Sequence, residues 1–111
     1  MGYYSEGVLG ITKEALNRCK LLDCNMPALL EQMEETVVAD YIYFSFAQMK
    51  MYNGYDDVDA FYAWLDWLDD AYPDECAYGY TEMGEEGEII DKGDSNEFDI
   101  WTTRTISSPV T

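Results

Sequence analysis

The 111-residue chain has no histidine, and only six lysines and arginines stand against 23 aspartates and glutamates. The missing histidine removes the commonest general base, the Ser-His and Cys-His nucleophile pairs and most zinc sites together. There is no P-loop, no G-x-S-x-G and no G-x-G-x-x-G stretch. Glycosidase chemistry needs only two carboxylates, but among 23 acids some pair always looks suitable, so a pair carries no information. The chain therefore reads as a non-catalytic protein, with no catalytic residues, no cofactor and no resident metal. Asp91, Asp94, Asn96 and Asp99 are oxygen ligands in a Gly-containing loop. Their spacing does not fit an EF-hand and no glutamate closes the shell, so a solvated turn is expected there.

Cysteine is scarce as well. Cys19, Cys24 and Cys76 are odd in number and lack ligand spacing such as C-x2-C. No signal peptide or apolar run of transmembrane length is visible. Buried, reduced thiols in a cytoplasm are the simplest reading. A Cys19–Cys24 disulfide is the alternative, and it would leave Cys76 over.

What the chain does have is apolar material: 48% of its residues, with aromatics at 15%. That is enough for one core, and residues 1–111 read as a single domain without repeat or linker. The charge is −17 and it is segregated. Residues 1–50 hold four basic and seven acidic residues, a net −3, whereas residues 51–111 hold two basic (Lys92, Arg104) and 16 acidic, a net −14. Such a field repels phosphates and anionic membranes, so neither nucleic acid nor a membrane is a direct ligand. A basic partner is favoured.

Along the chain, Tyr3 to Ile11 reads as a first strand, loosened by Gly7 and Gly10. Thr12 is a good helix N-cap, with Glu14 in the first turn and Ala15, Leu16, Cys19 and Leu22 on one stripe. Pro27 can open a second short helix through about Glu35, with Leu29, Leu30 and Met33 inward. Thr36 to Tyr52 is dense in β-branched and aromatic residues and apolar in both alternating sets. Val38, Ile42, Phe44 and Phe46 make one set; Val37, Ala39, Tyr41, Tyr43, Ala47 and Met49 make the other. One strand is expected there, covered on both faces or covered by helices on one and by a partner on the other. Asp56 or Asp57 caps the main helix, about Val58 to Tyr72, stopped by Pro73. Cys76 to Met83 reads as a third strand, 84–97 as an acidic loop or ragged hairpin, and Phe98 to Ile106 as a last strand. The expected fold is α+β: a small antiparallel-rich sheet of about four strands, with two to three helices on one face.

The main helix is the most informative segment. Its apolar stripe (Val58, Phe61, Leu65, Leu68, Tyr72) centres near Leu65, with Asp56, Asp59, Asp66 and Asp70 opposite and Asp69 at the edge. Successive carboxylates there lie about 5–11 Å apart along the axis, comparable with phosphates along a nucleic-acid strand. A solvated amphipathic face explains this much. It does not explain why no lysine is interspersed between Lys50 and Lys92, since surfaces normally mix signs. Trp67 falls among these acids, well away from the stripe, where it either anchors a partner or lies under a neighbouring segment.

Tyr3-Tyr4-Ser5-Glu6, Lys50-Met51-Tyr52, the helix FYAWLDWLDD and the closing Arg104-Thr105-Ile106 together resemble a group of small acidic proteins encoded by tailed phages and prophages. The resemblance spans most of the chain, and Trp67 departs from the polar residue usual at its position. It implies no catalytic activity and no functional residues. By class analogy it points to anti-CRISPR proteins and anti-restriction DNA mimics.

The expectation is thus a phage- or mobile-element-encoded inhibitor, acting in the host cytoplasm on a basic nucleic-acid-binding nuclease or CRISPR surveillance complex. Asp59, Asp66, Asp69, Asp70, Glu85, Glu86 and Glu88 would stand in for phosphates, with Trp67 as the apolar anchor. The alternative is a structural or assembly protein that homodimerises through a Tyr41/Tyr43 sheet face, its acidity serving solubility. A third is an ordinary protein of a halophile.

Overall fold

Strand β1 (Ser5–Thr12) is the middle strand of a five-stranded antiparallel sheet. It pairs on one side with β3 (Tyr41–Met49) and on the other with β4 (Tyr78–Gly84). The edges are β2 (Glu34–Val38) beside β3 and β5 (Ile89–Gly93) beside β4. Helix α1 (Lys13–Leu21) follows β1, a 3-10 helix (Ala28–Gln32) precedes β2, and α2 (Asp56–Ala71) joins β3 to β4. Two short strands, β6 (Trp101–Thr102) and β7 (Ile106–Ser107), form a separate ribbon. This computed structural model describes residues 5–21, 27–51, 55–72, 77–84, 88–94, 98, 100–102 and 106–107. The chain is α+β as expected, with one sheet strand more than expected and a ribbon besides.

The helices lie on one face of the sheet. Leu9 and Ile11 of β1, Phe44 and Phe46 of β3, and Tyr78 and Tyr80 of β4 point to that face. They pack against Ala15, Leu16 and Cys19 of α1, Leu29 and Leu30 of the 3-10 helix, and Val58, Phe61, Trp64, Leu65 and Leu68 of α2. The opposite face is not bare. Val8, Tyr43 and Met83 are buried there under Phe98 and Ile100, and the Tyr43 hydroxyl donates to the Phe98 carbonyl at 2.8 Å.

Caps mark where α1 begins and where α2 ends. Thr12 Oγ1 accepts from the Ala15 N–H at 3.1 Å, the N-cap bond expected of that residue. Helix α2 starts two residues earlier than expected, with Tyr55 as its N-cap, and closes with the Tyr72 N–H donating to Leu68. Its first turn carries Asp56, Asp57 and Asp59, which suit the positive end of the helix dipole.

Three sequence expectations give way. The helix from Pro27 to Glu35 shrinks to one 3-10 helix, because Glu34–Val38 pairs with β3 instead. The single strand expected over Thr36–Tyr52 is a tight hairpin, turning at Ala39 and Asp40 with Ala39 left-handed at φ 54°. The turn shifts Val38 to the Tyr41/Tyr43 side, while Met49 packs on the helix side. Finally, Gly7 and Gly10 do more than loosen β1, whose register with β3 shifts between Ser5 and Gly7. A Cβ at Gly7 would lie 2.4 Å from the Phe46 ring, and one at Gly10 would lie 2.6 Å from the Phe98 ring. Their missing side chains let an aromatic ring lie against each face of the central strand.

Candidate protein-binding surface

Three contacts fix how α2 sits on the sheet. The Tyr62 hydroxyl donates to Glu82 Oε1 on β4, Asp66 lies 3.8 Å from the Lys92 ammonium on β5, and Asp69 accepts from the Tyr78 hydroxyl at 3.0 Å. Ascending α2 therefore means descending β4, and the helix lies antiparallel to that strand along the β4–β5 side of the sheet. Its buried flank carries Phe61 against Tyr80, ring centroids 5.2 Å apart. Asp59, Asp66, Asp69 and Asp70 are all exposed, as the sequence pattern required.

These acids are not equivalent. Asp66 and Asp69 are partly engaged from within, by Lys92 and Tyr78 respectively. Asp70 has no such partner among the described residues. Asp69 and Asp70 also sit in the last turn of α2, which has no basic residue. There a carboxylate opposes the helix dipole at a cost of about 0.3–1 kcal/mol. Helix stability alone would place lysine or arginine at those positions.

Glu88 is exposed at the start of β5, and its carbonyl accepts from the Gly84 N–H. The antiparallel register of α2 puts the Asp56–Asp59 turn toward this same end of the sheet. Glu85 and Glu86 lie outside the described residues. Trp67 is half-buried and packs against the helix-side core. It is thus not the free-standing anchor of the sequence reading, although one side of it stays accessible.

Sequence reasoning missed Glu82. This carboxylate is only 5% exposed, yet it faces the helix side of β4 between Tyr80 and α2. Its Oε1 accepts both the Tyr62 hydroxyl at 2.5 Å and the Tyr80 hydroxyl at 2.6 Å. Burial, with the Glu82 charge adding to it, holds both phenols far above the usual tyrosine range. Burial and the bond to Asp69 do the same for Tyr78. Lys92 lies over the Tyr62 ring, 5.8 Å from its centroid, so one cation touches both the ring and Asp66. The i, i+2, i+4 run Tyr78-Tyr80-Glu82 was the available signal, since it sets a carboxylate on the same face of a strand as two tyrosines.

Two further readings meet the structure here. Asp91 of the cation-ligand candidate accepts from Thr81 Oγ1 at 2.6 Å, Asn96 and Asp99 lie outside the described residues, and no metal-holding cluster occurs among those described. Tyr43, half of the proposed dimer face, is buried at 1% exposure under the chain's own Phe98. No helix among the described residues is long and apolar enough to cross a membrane. In comparisons with known proteins, no family model, no curated protein and no solved structure matches this chain.

Proposed function

We propose that this chain is a non-catalytic inhibitor, encoded by a phage or mobile element, that binds a basic host defence protein in the cytoplasm. Its partner is a nucleic-acid-binding nuclease or CRISPR surveillance complex, and the acidic face of α2 occupies the channel that would hold nucleic acid. The observation that carries the reading is the last turn of α2. Asp69 and Asp70 stand exposed there against the helix dipole, on a helix without a single basic residue. A surface selected for solubility or stability alone would mix signs and place cations at that end.

The assembly alternative gains no support from the sheet, because Phe98 covers Tyr43 on the face it requires. The test is capture of host proteins on the immobilised chain at low and at high salt, with duplex DNA as competitor. A captured basic protein that high salt and DNA both release is the expected result. Capture indifferent to both overturns the mimicry.

A further inference from the structure

Resting on that reading, we propose how the partner is gripped: the outer edge of β5 accepts an extended basic segment of the partner as a sixth strand. No described strand pairs with this edge. The hydrogen-bond parity shows which groups it offers. The Gly84 N–H donates to the Glu88 carbonyl and the Asp94 N–H to the Tyr78 carbonyl, each at 2.9 Å. In an antiparallel ladder the bonded pairs alternate, so with Ile90 opposite Glu82 and Lys92 opposite Tyr80, residues 88, 90, 92 and 94 bond inward to β4. The N–H and C=O groups of Ile89, Asp91 and Gly93 therefore point outward.

The side chains along this edge fit an extended partner. Ile89 and Ile90 are 46% and 38% exposed, two adjacent large apolar residues on an edge strand. Charged side chains normally guard an edge strand. On β5 both are engaged from within the sheet, Lys92 over Tyr62 and toward Asp66, and Asp91 by the Thr81 hydroxyl. Ile90 and Lys92 lie on the α2 side of the strand, opposite Glu82 and Tyr80. An incoming strand would set alternate residues on that side, beside the exposed carboxylate of Asp66, and its other residues beside Ile89. Each side of the edge thus offers an isoleucine and an exposed carboxylate, Ile90 with Asp66 on the α2 side and Ile89 with Asp91 on the other, and a segment of alternating basic and apolar residues fits it. A second copy of this chain is disfavoured as occupant, since each copy carries −17.

The probe is the fluorescent octapeptide Arg-Val-Arg-Val-Arg-Val-Arg-Val, blocked at both ends, with a control of the same sequence N-methylated at every residue. The two have the same charge, but the control cannot donate to a strand edge. In fluorescence anisotropy the unmodified peptide should bind at least tenfold more tightly than the control. On binding it should slow amide exchange at Ile89, Asp91 and Gly93. Ile89→Pro, which removes an outward N–H and leaves the β4 ladder intact, should abolish that preference, whereas Ile89→Val should keep it. Equal binding of both peptides overturns the strand pairing while leaving an acidic binding surface in place. Failure of the unmodified peptide to bind, or a homodimer that Ile89→Pro dissolves, overturns it as well. Should the proline variant misfold by circular dichroism, the comparison of the two peptides on the unaltered chain decides.

Discussion

Tyr62 of α2 and Glu82 of β4 are joined by a 2.5 Å hydrogen bond, and Tyr80 donates to the same carboxylate oxygen from within the strand. A charge that is 5% exposed is costly unless hydrogen bonds replace its water, and these two hydroxyls do so. They also tie the acidic helix to the sheet at a fixed register. Glu82→Ala strands the fully buried Tyr80 hydroxyl and opens a gap, and should cost about 2–4 kcal/mol. Glu82→Gln keeps an acceptor and should cost less. In urea denaturation, Tyr62→Phe should cost about 1 kcal/mol in the parent and markedly less in the Glu82→Ala background, which lacks the acceptor. Equal costs in both backgrounds would mean the bond contributes nothing.

The same tyrosines set an alkaline limit. Tyr62, Tyr78 and Tyr80 are all raised in the folded chain, chiefly by burial. Their contribution is complete below the ordinary tyrosine value near 10 and is lost as pH rises above it, because the unfolded chain then releases protons that the folded chain retains. For Tyr80, fully buried, the loss approaches about 1.4 kcal/mol per pH unit; half-buried Tyr62 should lose less. Ultraviolet titration should show these tyrosines ionising only together with loss of the circular dichroism of the fold. Smooth ionisation of all ten tyrosines in an intact fold would contradict the burial.

The residues that were legible in the sequence are those whose local preference agrees with their place. Thr12 caps α1 as expected, and the buried stripe of α2 matches its apolar spacing. The hairpin at Ala39 was not legible, since Ala-Asp carries no turn signature and the left-handed alanine is imposed by the pairing of β2 with β3. Glu82 was hidden for a related reason. Both faces of the sheet are covered, so alternation along β4 does not reveal which residues meet α2. The acids of the candidate surface were found because a helix has one buried side; their partial use by Lys92 and Tyr78 required the sheet to be in place.

Ala39 yields a prediction of the opposite sign to most. A left-handed residue with a Cβ costs about 1–2 kcal/mol, and glycine removes that cost while adding freedom to the unfolded chain. Ala39→Gly should therefore stabilise the protein by up to about 1 kcal/mol, seen as a higher urea midpoint at an unchanged slope. A lower midpoint would mean that the Ala39 side chain does more than tolerate its conformation.

Asp70 separates binding from folding. It opposes the dipole at the end of α2 and adds to an acidic field that already repels itself. Asp70→Asn should raise stability by about 0.3–1 kcal/mol, with the gain shrinking as salt screens the field. The same substitution should weaken capture of the basic partner and flatten its salt dependence, because one carboxylate fewer meets the partner's cations. Stability and binding would then move in opposite directions, the mark of a residue placed for a partner. If Asp70→Asn lowered stability and left capture unchanged, Asp70 would belong to the fold and the binding surface would have to lie away from the last turn of α2.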